Sequence, residues 1–494
     1  MTAEVYGEWW IETRKHPPKD YKPPKHTVAG ELSADGMSGW TLETIGSLTA
    51  GSIFVQMARR VVGSGDDLVT IRGADNSGKS FSLLGCYDIQ SIWHSSSIRE
   101  GVQRWHVSTI AQGEGIWVDS ETMIDQIDLE LRDLEAWAVD PRDPDMERDF
   151  EAGSLTFSLS PKIELPQAQD GAVELCYGRS WNVSTESVEA SANAVFKIHD
   201  TLRLGEINEK WIRPLTELVS FLSMRPSFPT SIRARLVDRF GQEHPIHVNV
   251  RLPQALDGID LSTSTESSAA RQLKMLAPRR VLQDHGIEFG ELLPNWFALQ
   301  TDDKLRAALV SLVDSQARTQ GFKFDDSLLY ACNSLELFHS SRFDGSVEEN
   351  SDVTDVVKTV RDGLSSQERE VLGERLATSR RKYFTEKVSE IVGACGDVGT
   401  KLITAYPSLV ADIKQLRNKI AHPTTRPRNV SEQVDVLIAA QWLVRRALLQ
   451  SLRIPISTCD RIVLGNNTFG LQLQRLESWH GTTTPSADSA DDTA

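Results

Sequence analysis

Cysteine is scarce in this sequence: five of the 494 residues are cysteines, and no two of them form a C-x-x-C pair. A disulfide-stapled secreted domain needs a dense cysteine framework, and a zinc ribbon needs paired cysteines at short spacing. The composition therefore argues against both classes and predicts reduced thiols in a cytosolic protein. The scattered cysteines are Cys86, Cys176, Cys332, Cys395 and Cys459.

Long apolar runs are also missing. No stretch approaches the roughly 18 uninterrupted apolar residues that a membrane-spanning helix needs. The N-terminal residues, MTAEVYGEWWIETRK, lack the basic-then-apolar order of a signal peptide. The sequence thus predicts a cytoplasmic protein without a membrane partner, and its length predicts two or three domains.

Positive charge is in deficit. The chain carries 53 Lys and Arg against 69 Asp and Glu, a net charge of −16. Such a balance disfavours unspecific binding to nucleic acid. Any RNA or DNA site must therefore be a local basic patch.

Tryptophan and alternating apolar residues are concentrated in the front part of the chain. Ten of the twelve tryptophans precede residue 300. The front part reads in period-two runs cut by Gly, Asp and Asn, which is typical of antiparallel strands. These runs include GEWW, LVTIRG, SFSLLGCYDI, RWHVSTI, DQIDLELRDL, GSLTFSLS, GAVELCYG, AVFKIHDTLRL and SIRARLVDRF.

The pattern changes toward the C-terminus. One helix is predicted at 206–224 within the β-rich part, and a polar, serine-rich linker at 256–272. From about Phe289 the apolar period becomes 3.6. We predict an α+β protein: a β-rich domain at 1–288, an all-α helical bundle at 289–470 and a disordered tail at 471–494. Whether 1–288 divides into 1–155 and 156–288 stays open.

Residues 73–80, GADNSGKS, match the G-x-x-x-x-G-K-S pattern of a phosphate-binding loop. Such a loop needs a helix directly after it, so that the helix N-terminus meets the phosphate. The residues that follow, FSLLGCYDI, alternate like a strand. We therefore interpret the segment as a hairpin turn supplied by Asn76, Ser77 and Gly78. Whether it binds any ligand is left open.

The segment YPSLVADIKQLRNKIAHP predicts a helix with one buried stripe: Leu409, Val410, Ile413, Leu416 and Ile420. Arg417, Asn418 and His422 stand beside this stripe. Asn418 and His422 are four residues apart and share a face, and Arg417 can reach the same region. Pro423 should end the helix at His422. An imidazole near a helix C-terminus is suited to general acid–base chemistry.

A basic stretch surrounds these three residues. Asn429-Val-Ser-Glu432 has the spacing of a capping box for the next helix. From Asp412 to Arg453 there are eight Lys or Arg against three Asp or Glu, a net charge of +5. This is the local basic patch that an RNA site would require. Its candidate RNA-binding residues are Lys414, Lys419, Arg426 and Arg428.

An ordinary explanation competes with the functional one, because Arg, Lys and His are common at helix C-termini. An R-x4-H spacing alone is a weak motif. The functional interpretation depends on its context: long helices on both sides, a polar residue after the arginine, and basic surroundings.

In that context the region from about 290 to 470 resembles a HEPN domain, whose signature is R-x4-6-H with a polar residue after the arginine. Arg417, Asn418 and His422 match it, and the helix SLLYACNSLELFHSSRF, with Glu336, resembles the first long helix of that fold. The N-terminal pattern, from GEWW through the hairpin to LRDLEAWAV, is similar to the N-terminal domain of ApeA-type anti-phage defence proteins. Those proteins place a HEPN domain after it.

The resemblance implies a metal-independent endoribonuclease of abortive infection, with no cofactor. His422 would manage the proton of the RNA 2′-hydroxyl, Arg417 would hold the phosphate, Asn418 would orient one or the other, and Glu336 would be an accessory residue. No cluster of carboxylates and histidines stands near the motif, which agrees with metal independence. The resemblance also implies a site composed across a homodimer or higher oligomer, transfer RNA as substrate and a phage-derived trigger sensed by the β-rich domain.

A non-catalytic HEPN module that dimerises or holds RNA is the alternative. The sequence gives neither the RNA bond that is cut nor the trigger.

Overall fold

The computed structural model describes residues 4–11, 27–35, 39–46, 48, 69–92, 102–113, 116–138, 146–149, 154–157, 163–164, 172–183, 188–237, 246–252, 271–320, 323–343, 383–421 and 429–482. The chain forms two compact units. The first comprises residues 1–219 and 227–268, and the second comprises residues 220–226 and 269–494.

The first unit is built on antiparallel strands, as the period-two runs predict. Its strands are β1 (Val5–Ile11), β2 (Val28–Asp35), β3 (Gly39–Ile45), β4 (Val69–Asp75), β5 (Ser80–Ile92), β6 (Val102–Val107), β7 (Thr109–Gly113), β8 (Met123–Leu131), β9 (Met146–Asp149), β10 (Ser154–Phe157), β11 (Ile163–Glu164), β12 (Ala172–Val183), β13 (Val188–Arg203), β14 (Pro229–Leu236) and β15 (His247–Arg251). Strands β9 and β10 pair with each other, and the others form one thirteen-stranded sheet.

Strand β5 closes part of this sheet on itself. Its first half pairs with β7 and its second half with β6, and the change of partner falls at Gly85, whose φ is 63°. Because β6 also pairs with β3, the strands β5, β4, β1, β2, β3 and β6 form a closed ring. A closed ring leaves none of its strands with an unpaired edge. Its interior holds buried apolar side chains, among them Trp9, Leu42, Ile71 and Trp105.

The predicted first strand contributes the largest of these side chains. Trp9 lies opposite Gly73 in the β1–β4 register and packs against Phe81, with ring centroids 6.0 Å apart. A Cβ atom at Gly73 would lie 2.1 Å from the Trp9 ring. Only glycine therefore leaves room for the indole at this point.

Strand β8 confirms the predicted alternation in DQIDLELRDL. Ile127, Leu129 and Leu131 are buried, whereas Glu130 on the opposite face is exposed. The helix predicted at 206–224 is also present. It begins as a 3-10 turn, passes through a π-helical turn at Asn208–Ile212 and continues as an α-helix over Arg213–Ser223. One short helix, α1 (Leu134–Ala138), precedes it, so we label the longer helix α2.

The GADNSGKS segment is a hairpin turn between β4 and β5, as predicted. Asp75 Oδ1 accepts hydrogen bonds from the backbone N–H and hydroxyl of Ser77 and from the backbone N–H of Lys79, at 2.8–2.9 Å. Gly78 adopts a φ of 84°, which suits glycine. A strand rather than a helix follows the turn, so the geometry of a phosphate-binding loop is missing.

Burial and hydrogen bonding act in opposite directions on the Asp75 carboxyl. Its slight burial raises the pKa, but the hydrogen bonds from Ser77 and Lys79 outweigh that effect and keep the pKa below its ordinary value. The ionised carboxylate thus serves to hold the turn closed.

The second unit is helical, and with the first it confirms the predicted α+β class. Its helices are α3 (Arg279–Asp284), α4 (Phe289–Gln300), α5 (Asp303–Gln320), α6 (Phe324–Arg342), α7 (Phe384–Ala394), α8 (Gly396–Ala405), α9 (Leu409–Ala421), α10 (Val430–Ser451), α11 (Ile456–Leu464) and α12 (Asn467–Thr482). Among the described helices, none is both long and apolar enough to cross a lipid bilayer.

The helical unit begins before residue 289, where the sequence pattern placed its start. Asn466 Nδ2 donates a hydrogen bond to the Met275 carbonyl at 2.6 Å, and Leu276 N–H donates to the Leu222 carbonyl at 2.9 Å. These bonds attach the segment before α4 to the helical unit. The predicted linker at 256–272 lies almost wholly outside the described residues.

The predicted start of the tail at residue 471 is wrong. Helix α12 continues to Thr482 because it buries Gln472 and Leu476 and because Trp479 Nε1 donates a hydrogen bond to Asp435 Oδ2 at 2.8 Å. Residues 483–494 lie outside the described residues.

Candidate active site

The helix that carries the R-x4-H pattern packs as its apolar stripe predicts. Leu409, Ile413 and Leu416 are buried, and α9 contacts α6, α7 and α10. Val410 is half-buried, and the side chain of Ile420 lies outside the described part of the structure. Asn418 is exposed and Arg417 is half-buried beside the stripe. The structure describes α9 as far as Ala421, so the predicted helix end at His422 stays a prediction. His422 lies outside the described residues.

Arg417 is held by two neighbours from other helices. Its Nη2 donates to Glu336 Oε2 on α6 at 2.9 Å, and the centre of the guanidinium lies 4.4 Å from the Phe384 ring centroid on α7. The side chains of Arg417 and Glu336 are 34% and 31% exposed. An ion pair and a cation–π contact together restrict the guanidinium while leaving part of it open to solvent.

Cys332, one helical turn before Glu336 on α6, is buried. Burial raises the pKa of the Cys332 thiol to about 12, although the positive charge of Arg417 acts in the opposite direction. Cys332 is therefore a neutral thiol at physiological pH. It is a buried packing residue of α6 rather than a nucleophile.

A second contact fastens α6 to α7 near the same place. His339 is fully buried one helical turn after Glu336, and its Nε2 lies 2.6 Å from Glu390 Oε2. Its ring stacks on Phe343, with centroids 4.9 Å apart. The helices that carry Glu336 and Phe384 are thus joined independently of Arg417.

The predicted RNA-binding residues divide by where they lie. Lys414 is exposed on α9 and is four residues before Asn418, so the two share a face. Lys419 lies in the described helix, but its side chain is outside the described part of the structure. Arg426 and Arg428 lie outside the described residues.

The basic patch inferred from composition must be corrected. Two of its eight cations, Arg445 and Arg446, are buried at 4% and 0% exposure and cannot contact RNA. Arg446 Nε forms an ion pair with Asp460 Oδ1 at 2.5 Å. The count of charges in the sequence placed both arginines on the surface, because composition does not show which face of a helix is buried. The long α10 instead packs almost all round its middle turns.

The turn before α10 is capped, but not by the predicted reciprocal box. Asn429 is the N-cap, and its side chain accepts a hydrogen bond from the Ser431 N–H at 2.9 Å. The Glu432 carboxylate accepts instead from the Tyr406 hydroxyl at 2.5 Å. Burial, reinforced by the hydrogen bonds to Glu432 and Asp412, raises the pKa of Tyr406 well above its usual range.

Sequence reasoning missed Phe384, His339 and Glu390. The apolar spacing of Phe384, Val388 and Ile391 in FTEKVSEIVGA indicates a buried stripe. It cannot indicate that the ring covers an arginine on another helix. Within the described ranges, no group of three or more His, Cys, Asp or Glu could hold a metal ion.

Comparison with known families covers both units. The family described as ApeA N-terminal domain 1 matches residues 4–296, and the family described as Apea-like HEPN matches residues 329–455. The HEPN match includes Glu336 and the whole segment from Arg417 to His422. No curated protein and no solved structure matches the chain.

The first match alone spans more than half of the 494 residues, and the order of the two matches is the order inferred from the sequence. These two domains indicate an anti-phage defence HEPN protein. The chain therefore belongs to the ApeA family, with an ApeA N-terminal domain followed by a HEPN domain.

Proposed function

We propose that the chain is a metal-independent endoribonuclease of abortive infection, with Arg417, Asn418 and His422 as its catalytic residues. Host RNA is the substrate, with transfer RNA as the class suggested by the family resemblance, and a phage component is the trigger. The HEPN match supports the proposal because domains of this family are usually nucleases. The β-rich unit would act as the sensor that holds the nuclease idle.

The observation that carries the proposal is that the Arg417 guanidinium is held in place by its neighbours and is still partly exposed to solvent. Glu336 engages Nη2, and the Phe384 ring restricts the group from a second direction. A guanidinium has five N–H donors, so the pair with Glu336 leaves others for a phosphate. Donors that are oriented before the reaction need little reorganisation as charge develops on the phosphate.

The proposed step needs no external nucleophile. The RNA 2′-oxygen attacks the adjacent phosphorus and loses its proton, while the bond from phosphorus to the 5′-oxygen of the next nucleotide breaks and that oxygen gains a proton. The products are a 2′,3′-cyclic phosphate and a 5′-hydroxyl. His422 would transfer the proton, and Arg417 would stabilise the phosphate charge.

Lys414 and Asn418 extend the site along the exposed face of α9. Their shared face would guide the RNA backbone toward Arg417, with Lys419, Arg426 and Arg428 as further phosphate contacts. Two copies of α9, one from each protomer of a homodimer, would complete the site.

One observation favours the alternative of a non-catalytic HEPN module. Glu336 already neutralises Arg417, and an ion pair of this kind also occurs where it serves only to join two helices. In that case Arg417 would hold α9 against α6, and the module would dimerise or retain RNA without cutting it. Loss of His422 distinguishes the two functions, because it should abolish RNA cleavage by a nuclease and should leave RNA retention by a non-catalytic module unchanged.

The experiment is RNA cleavage by the purified full chain in EDTA, with phage lysate present. We expect the wild type to produce discrete fragments that end in a cyclic phosphate. His422→Ala and Arg417→Ala should reduce the rate by at least about a hundredfold, since each removes a group that acts in the transition state. Both variants should unfold at the temperature of the wild type.

Lys401→Ala is the matched control, because Lys401 is an exposed cation on α8 of the same unit. Its cleavage rate should equal that of the wild type. RNA binding without cleavage in the wild type would support the non-catalytic module instead.

A further inference from the structure

A cavity of about 580 Å³ opens in the helical unit where the C-terminal ends of α4, α6, α7 and α10 meet the start of α5. Its volume lies within the range of small-molecule sites, about 300–1,000 Å³. Glu336, Arg417 and Asn418 are not among its lining residues. The cavity is therefore separate from the candidate active site.

One wall of the cavity is apolar. Leu299, Leu305, Phe338 and Ala447 line it and are all at least nine-tenths buried. Phe343 adds a half-buried ring. A ligand that fills the cavity must therefore present an apolar or aromatic body to this wall.

The rim of the cavity is cationic. Arg342 and Arg453 are both exposed lining residues, and the charge of Arg342 also acts on the nearby Asp302 carboxyl. Asp302 is the single carboxylate of the described lining. Its oxygens already accept from the N–H groups of Lys304 and Leu305 and from the Ser341 hydroxyl. The rim thus has donors to spare.

Arginines near helix C-termini ordinarily complement the helix dipole, and Arg342 alone would be explained in that way. Arg453 is different, because it follows the end of α10 with a φ of 61°. That backbone conformation favours glycine, and glycine is the usual residue just past a helix end. An arginine at this position therefore costs backbone strain that a glycine would avoid.

A third donor stands beside Arg453. The Gln450 side-chain oxygen accepts from Arg446 Nη1 at 3.1 Å, which leaves its amide N–H groups for the cavity. From this geometry we propose that the cavity binds a small organic anion with an aromatic body. Its carboxylate, sulfonate or phosphate head would lie between Arg342 and Arg453, and its aromatic body would lie against Phe338 and Phe343.

The test uses 8-anilinonaphthalene-1-sulfonate, an aromatic sulfonate that fluoresces when its ring system leaves water, titrated into the full chain. We expect saturable binding at one site, and at least a tenfold weaker affinity in Arg342→Ala and in Arg453→Gly. Ala298→Trp should abolish binding, because Ala298 is an exposed lining residue and an indole there would fill the cavity. Inorganic phosphate, which lacks the body, should displace the probe only at much higher concentration.

Arg453→Gly separates a lost ligand contact from a damaged fold, because glycine relieves the strain at this position and should raise the unfolding temperature while it weakens binding. Arg461→Ala is the matched control, as Arg461 is an exposed arginine on α11 outside the cavity lining. Equal affinity in the wild type, Arg342→Ala and Arg453→Gly would overturn the proposal, as would the absence of saturable binding.

Discussion

Arg417 and Glu336 form the ion pair that orients the guanidinium of the candidate site. The pair is about one-third exposed on both sides, and ion pairs with this degree of solvent access contribute about 0–1 kcal/mol to folding. Its effect on stability is therefore small. If the pair has a larger effect on function, that effect must come from the orientation of the guanidinium.

Replacing Glu336 tests this role. Glu336→Ala should lower kcat on RNA by about tenfold or more with little change in KM, because Arg417 loses its orienting partner. Glu336→Gln keeps an acceptor oxygen for Arg417 Nη2 and should retain more of the activity than the alanine variant. Steady-state kinetics with both variants, beside their thermal unfolding, makes the comparison.

A purely structural Glu336 would give the opposite pattern. Both variants would then change the unfolding temperature and leave kcat of the folded protein unaltered.

At the scale of single residues, the sequence is informative about which side chains leave the core. The positions of Arg417 and Asn418 beside a stripe of Leu409, Ile413 and Leu416 follow from helical period alone. The contact with Phe384 does not, since it depends on how α7 packs against α9. No local rule encodes that packing.

At the scale of the element, α10 carries two adjacent buried arginines in different surroundings. Arg446 pairs with Asp460. Arg445 has no carboxylate partner among the described residues. With the Gln316 amide turned so that its oxygen faces Arg445, that oxygen accepts from Arg445 Nη2 at 2.8 Å and from Nε at 3.0 Å. Gln441 Oε1 accepts from Arg445 Nη2 at 3.4 Å, and the guanidinium lies 5.0 Å from the Trp442 ring centroid. Burial lowers the pKa of Arg445 to about 9.

These surroundings predict unequal costs for the same substitution. Arg446→Met should lower the free energy of unfolding by about 3–5 kcal/mol, because it leaves Asp460 buried without its partner. Arg445→Met should stay within about 1 kcal/mol of the wild type, because the lost hydrogen bonds are offset by the removal of a desolvated charge. Chemical denaturation of both variants measures the difference. A larger loss in Arg445→Met would contradict this account of α10.

Helix α10 also shows that composition alone does not predict which charges lie on the surface. Counting charges from Asp412 to Arg453 predicts a basic surface, and the packing of α10 removes two of the cations from it. By contrast, the GADNSGKS hairpin was predictable, because the alternation on both sides and the turn residues are local signals. Local patterns decide the turn, whereas tertiary packing decides which charges reach the surface.

At the scale of the whole molecule, the change from period two to period 3.6 predicted a β-rich part followed by a helical part. The residue at which the helical unit begins was harder to predict. The pattern placed the start of the helical part at 289, but the hydrogen bonds of Met275 and Leu276 attach an earlier segment to that unit. Such long-range bonds have no signature in a single sequence.

The proposed homodimer makes a prediction at this scale. If each active site needs α9 from both protomers, activity per protomer should fall as the protein is diluted below its dimer dissociation constant. Sedimentation at the assay concentrations should show dimers turning into monomers over the same range. A fully active monomer would contradict a composite site.

We propose that this ApeA-family protein defends by cutting RNA through the R-x4-H segment. The most direct measurement maps 2′,3′-cyclic phosphate ends in RNA from phage-infected cells that express the wild type or His422→Ala. We expect discrete new ends, concentrated in one class of host RNA, in the wild type alone and only after infection. Protection from phage with identical RNA ends in both strains would contradict it.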